Sequence, residues 1–421
     1  MAGKAAIGLN RQDVSILRDL ARHVKGISED PVMEERRRLW LKHASLRGER
    51  PMILAETGGV LDELIPVSLL KCQEGWARGL ERGLLNSIFM YEHVGDDYVI
   101  EPVIAYNWHV SISDYGVQST RHTTSNEGKL ASYRWEPPIK NLSEDFGKLR
   151  HRTFSVDRDA TARSKRLLQE VFGGILDVRR RGGFWWTMGM TWNAIDLIGL
   201  EGLMMAMYDD PDGLHRLMSF LRDDHLALLD WVEKENLLSL NNRNDYIGSG
   251  SLGYTIELPR RHLNPAAPLR IQDLWGLSES QETVGVSPEM FAEFIFPYQL
   301  AVIQRFGLAY YGCCEPIHSR WNSISKIPNL RKVSVSPWCN EPLMAEACAG
   351  KYIYCRKPNP ALVSTEVFDE QAIREDLRNT LQAARDCHVE LVMKDVHTVA
   401  NQPHRLGRWV ELAREVIEET R

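Results

Sequence analysis

The side chains best suited to chemistry in this sequence are thiols, carboxylates, imidazoles and indoles, and they cluster where apolar runs stop. The clearest case is Tyr311-Gly312-Cys313-Cys314-Glu315, in which a short apolar run ends in two soft, ionisable thiols and a carboxylate. About 25 residues later a second run, 331–336, alternates basic, apolar and hydroxyl residues and stops at Pro337-Trp338-Cys339-Asn340, the spacing of consecutive βα units. A third run ends in Lys394-Asp395-Val396-His397. Thiolate together with imidazole or carboxylate suits zinc, and a catalytic zinc keeps three protein ligands and one open position. Cys313 or Cys314 would supply a thiolate, and Asp395, His397, Glu279, Glu315 or Cys339 would complete the shell. There are plainer alternatives. The pair is one buried and one loop thiol, because neighbours in a strand face opposite ways, while Asp395 caps a turn and His397 is solvated.

Other strand ends carry polar and aromatic groups. Asn241 to Tyr246 is a polar cluster in which Asn242 and Asn244 would hydrogen-bond a substrate, unless it is only an Asn-rich turn. Glu279, Gln281, Asp245 and Tyr311 stand at comparable positions, and Trp192, Trp275 and Trp338 would serve as walls of a pocket. The basic Arg356-Lys357-Pro358-Asn359-Pro360 loop would hold a carboxylate or phosphate or merely cover the barrel edge, and Arg179 to Arg181 reads more simply as a solvated face. Cys72, Cys348, Cys355 and Cys387 fall in periodic patterns and read as core. No dinucleotide-binding glycine fingerprint, phosphate-binding loop, zinc-protease helix or serine-hydrolase elbow is present.

Short runs that would position these groups occur at 50–56, 182–192, 237–240, 269–275, up to 311, 331–336, 351–356 and 389–393. Helical periodicity fills 10–24, 30–46, 64–94, 157–172, 288–305, 369–385 and 403–420. Eight strands separated mostly by helices predict an α/β chain folded as a (β/α)8 barrel, with catalytic groups at the carboxyl ends of the strands. Residues 1–48 form an N-terminal helical segment and 49–421 the barrel, interrupted at 97–150 by a β-rich insertion with a hairpin turn at Asn126-Glu127-Gly128. The 421 residues are 43% hydrophobic and 26% charged with a net charge of −6, which points to small ligands or proteins rather than nucleic acid or membrane. The opening MAGKAAIGLNRQ lacks a secretory apolar segment, so a cytoplasmic location is expected, with the seven cysteines reduced.

The order of an apolar strand with a Cys-bearing end, NLRKVSVSPW, a further strand and KPNP resembles the uroporphyrinogen decarboxylase-like superfamily. VGVSPEMFAEFIFPYQLAVIQRFG and RPMILAE are similar to it as well. The resemblance implies a (β/α)8 barrel. The decarboxylases of that superfamily carry an Arg-rich motif after the first strand, where this chain has Glu56-Thr57-Gly58-Gly59. The corrinoid-dependent methyltransferases carry His-x-Cys at the fifth strand end and a Cys after the eighth. Here those places are Tyr311-Gly312-Cys313, or Gly312-Cys313-Cys314, and Lys394 to His397, so one thiolate is kept and other ligands change. The resemblance implies methyl transfer from a methylated small molecule, with an aryl methyl ether favoured by the indoles, to the cobalt of cobalamin on a separate corrinoid protein. Zinc held by Cys313, Cys314, Asp395 and His397 would polarise the leaving atom, or Glu279, Tyr311 or Asp245 would protonate it. Trp192, Trp275, Trp338, Asn242, Asn244 and Gln281 would hold the donor. A decarboxylase or lyase on another acid, and a non-catalytic barrel that docks a corrinoid protein, are the alternatives; a homodimer is left open.

Overall fold

A computed structural model, which describes residues 10–123, 133–259 and 267–420, has at its centre a sheet of parallel strands. These are β1 (Met52–Ala55), β2 (Trp275–Ser278), β3 (Leu308–Tyr311), β4 (Leu330–Val335), β5 (Ile353–Arg356) and β6 (His388–Met393). They are hydrogen-bonded in the order β1-β6-β5-β4-β3-β2. Neighbours from β2 to β6 are also consecutive in the sheet, and β1 joins β6 with Met52 opposite Glu390 and Ala55 opposite Met393. Parallel neighbours require crossovers, which Glu341–Cys348 supplies between β4 and β5 and Glu370–Ala383 between β5 and β6. The chain is thus α/β with a parallel sheet.

Alternation along each strand divides the molecule into two apolar clusters. Ile53, Ala55, Ala309, Tyr311, Val333, Val335, Tyr354, Leu391 and Met393 pack with Met344, Leu377, Trp409 and Val410 of the covering helices. Met52, Leu54, Trp275, Leu277, Tyr310, Cys355 and Val392 pack on the opposite face, with Ile247 and Leu252 of a hairpin and with Leu17, Val24 and Trp40 of the first two helices. Those helices, Arg11–Ser28 and Pro31–Ala44, are capped by Asn10 and Asp30, whose side chains accept from Gln12 and Val32 N–H. Pro31 at the first turn suits the second.

The sheet does not run through eight positions among the described residues. Residues 182–192 and 237–240, expected as strands, form none, and 269–275 contains a 3₁₀ turn at Ile271–Asp273 with the strand beginning where it was expected to end. Side chains satisfy the edges instead. The amide of Asn241 both donates to Trp275 O (3.0 Å) and accepts from Trp275 N–H (2.9 Å), imitating a strand partner. Met188 N–H donates to Leu277 O (2.8 Å). At the other edge, Asp97 accepts from Ile53 N–H (2.8 Å) and Asp96 from Ala55 N–H (3.0 Å). Arg50 and Arg414 neutralise Asp97. Buried backbone groups must be paired, and once carboxylates and an amide do this, no strand can.

The 97–150 region holds strands Val103–Tyr106, His109–Ile112, Thr120–Thr123 and Tyr133–Glu136. Two of them reach beyond it for partners: Val103–Tyr106 runs parallel to Asp177–Arg180, and His109–Ile112 antiparallel to Phe154–Asp157. The expected turn at 126–128 lies outside the described residues, as do residues 1–9. The 288–305 helix is broken into Pro288–Phe294 and Phe296–Ile303, because Pro297 lacks the N–H a continuous helix would use. No described helix is long and apolar enough to cross a membrane.

Candidate functional site

The turn after β3 is built from its neighbours. Gly312 takes φ of 95°, a left-handed conformation that suits glycine, and a Cβ there would meet Ile317 at 3.1 Å and Ser334 at 3.3 Å. The buried carboxylate of Glu315 accepts from Cys313 N–H (2.8 Å) and Ser280 N–H (2.9 Å), tying the ends of β3 and β2 together. Ser334 Oγ on β4 donates to Cys313 O (2.7 Å). Three strands along the sheet from β3, β6 delivers Lys394, and Asp395 follows with φ of 57°, a region Asp tolerates better than most residues.

These two turns meet. Lys394 Nζ lies 3.7 Å from Cys313 Sγ, 3.2 Å from Ser249 Oγ and 3.2 Å from Asp395 Oδ2. Cys313 Sγ is 3.6 Å from Cys314 Sγ and 3.5 Å from Ser249 Oγ, and Cys314 Sγ is 3.6 Å from Asp395 Oδ2. The hydrogen bond with Cys314, then Lys394 and Ser249, outweigh burial and bring the Cys313 thiol down to about 7. Cys314, whose thiol is hydrogen-bonded to that of Cys313, is pushed up. Burial works against the Lys394 charge, but Cys313, Asp395 and Tyr246 outweigh it and raise its pKa. One thiol is therefore poised as a nucleophile or acceptor at neutral pH, beside a second that keeps its proton.

A cavity of about 190 Å³ opens here, lined by Cys313, Cys314, Ser336, Trp338, Lys357, Lys394, Asp395 and the prolines of the KPNP loop. Cys314 and Trp338 are exposed at its mouth. Beneath it Lys332 Nζ bonds Glu390 Oε1 (2.8 Å), Ser251 Oγ (2.9 Å) and Leu252 O (2.9 Å), so an internal ion pair holds the hairpin against the sheet.

The other expected site residues stand elsewhere. Tyr311 lies on the helix-covered face, its hydroxyl donating to Gln299 Oε1 (2.8 Å), because it is one residue out of phase with the inward positions of β3. Glu279 is buried near Glu282 and Glu315, and burial with these two charges pushes its carboxyl well up. Asp245 is held by Arg181 at 2.5 and 3.1 Å. Asn242 donates to Leu258 O and Asn244 to Val99 O, both backbone ties. Trp275 is buried, with its indole N–H on Gly253 O (2.8 Å). Asn244, Asp245 and Trp275 line a separate cavity of about 620 Å³ with Trp185 and Trp186, and Trp192 and Gln281 a third of about 390 Å³. His397 is exposed beside Gly59.

Zinc does not fit this donor set. Among the described residues no three His, Cys, Asp or Glu side chains stand together as metal ligands. The ammonium of Lys394 already sits against both Cys313 and Asp395, where a cation would go. Lys357 was read from sequence only as part of a basic loop, and Lys394 and Ser249 were not singled out, yet a signal existed. Lys332-Ser334-Ser336, Cys355-Lys357 and Glu390-Lys394 are polar at the inward alternate positions of β4, β5 and β6 or of their continuations. A core would fill those positions with apolar groups.

No protein-family model matches the chain, and no curated protein matches it. Among solved structures it is similar to a methyltransferase from Methanosarcina mazei, with 10% identity, a TM-score of 0.46, and coverage of 91% of this chain and 98% of that one.

Proposed function

We propose that the chain is a methyltransferase on a (β/α)8-type scaffold whose second and third strand positions are irregular. It would move a methyl group from a small donor, such as an aryl methyl ether, to the cobalt of a separate corrinoid protein. The observation that carries this reading is the meeting of Cys313, Cys314, Lys394 and Asp395 at the carboxyl ends of β3 and β6, the strand ends at which the methyltransferase resemblance lies. Cys314 and Trp338 are exposed at the mouth, which suits a cofactor carried on another protein.

A reduced corrinoid, when presented, supplies the nucleophile that takes the methyl carbon. The chain's task is the leaving atom. As the carbon–oxygen bond breaks, its electron pair stays on oxygen, and the Lys394 ammonium, held in its charged form, stabilises that charge by donating a hydrogen bond; the released oxyanion takes its proton from water. Asp395 and Ser249 orient Lys394, and the Cys313 thiolate favours its charged form. Trp338 would shield an aromatic donor from water. No step runs through zinc.

Anaerobic incubation with free reduced cobalamin and methoxyarenes tests the reading by the spectrum of methylcobalamin. Lys394→Met is expected to slow its formation about 10²-fold. Carbon dioxide release from an acid, with no methyl transfer, would replace this reading by a decarboxylase.

A further inference from the structure

We propose that the cavity at the ends of β3 to β6 binds a small ligand through a carboxylate that pairs with Lys357, the ligand's body lying against Trp338. Lys357 follows β5 and is 4% exposed. Its ammonium donates to Tyr310 Oη at 3.0 Å, to Cys355 Sγ at 2.8 Å and, more weakly, to Cys355 O at 3.4 Å. All three partners are neutral: burial drives the Cys355 thiol up to about 11. Among the described residues no carboxylate forms an ion pair with Lys357. Glu56 feels its charge through space, but burial pushes that carboxyl up and its Oε1 has no hydrogen-bond partner.

The other cations of this region are matched. Lys394 has Asp395 and Cys313, Lys332 has Glu390, and Arg356 has Glu341 and Asp376. Lys357 alone of these four has its donors satisfied and its charge left over. A buried charge without a counter-ion is costly, and Lys357 is among the residues that line the cavity, so an anion bound there lowers that cost. The cavity of about 190 Å³ is smaller than drug-sized pockets, which limits the ligand to on the order of ten non-hydrogen atoms. Trp338, 67% exposed, offers an indole to a flat ring. An aromatic carboxylic acid meets all three demands. The inference deepens the methyl-transfer reading, since a methoxy-substituted acid anchored at Lys357 would share the cavity with Lys394.

Calorimetry on the whole chain without any corrinoid tests it, using 4-methoxybenzoate and the neutral, isosteric 4-methoxybenzamide. The carboxylate is expected to bind at least about tenfold more tightly than the amide. Lys357→Gln removes that preference, and Lys357→Arg, which keeps the charge, retains most of it. Equal affinity of the unaltered protein for acid and amide overturns the proposal without needing any variant to fold. Inorganic phosphate binding as tightly as the acid overturns the carboxylate assignment. Selective acid binding with no methyl transfer to reduced cobalamin would leave this inference standing and sink the proposed function. Methyl transfer from neutral donors, with no preference for acids, would do the reverse.

Discussion

Cys313 and Cys314 share a peptide bond but not an environment. Cys313 has Lys394 and Ser249 within 3.7 Å and 3.5 Å, whereas Cys314 is at the mouth beside Asp395. The pair titrates together, and its first proton leaves near pH 7 from Cys313. Alkylation by iodoacetamide, followed by peptide mass, should therefore label Cys313 with a rate that rises through pH 7. Lys394→Met removes a charge favouring the thiolate and should move that midpoint upward by about one unit. Labelling confined to Cys314, or a midpoint unmoved by the substitution, would refute this account of the rim.

Within the sheet, the inner face is held by polar pairing as much as by apolar contact. Lys332 and Glu390 are both fully buried and 2.8 Å apart. Burial opposes the Glu390 charge, but Lys332, then His43, with hydrogen bonds from Lys332 and Ser251, outweigh it and lower the carboxyl to about 2. The unfolded value is about 4.3. A depressed folded pKa contributes stability at pH above about 4 that is lost as pH falls towards 2, so acid unfolding should steepen in that window and Glu390→Gln should remove the steepening. Lys332→Met alone should cost about 3–5 kcal/mol in urea unfolding, and Lys332→Met with Glu390→Leu much less, because only the single change strands a buried charge. The strands from 308 onward were legible because their apolar runs end at clear punctuation. Their inward polar positions were not read as a site, since alternation names a face without saying what it faces.

At the scale of the whole molecule, the sheet has two edges, and both are finished by side chains. Asn241 occupies both backbone groups of Trp275, so Asn241→Ala should cost about 1–3 kcal/mol and speed hydrogen exchange at the Trp275 amide; unchanged exchange would show that Asn241 is not its partner. The runs at 182–192 and 237–240 read as strands because local apolar pattern cannot reveal that the Asn241 side chain, or an Asp pair at 96 and 97, has taken the pairing sites on strands far away in the chain. The sequence by itself determined which segments prefer strand or helix, where they stop, and that thiols and carboxylates crowd the stops, because these depend on nearest neighbours in the chain. Only the tertiary structure decided that residue 313 meets residue 394 rather than 397, that an ammonium stands where a metal was expected, and that no carboxylate among the described residues pairs with Lys357. Such facts depend on distances between groups far apart in sequence, and no local preference encodes them.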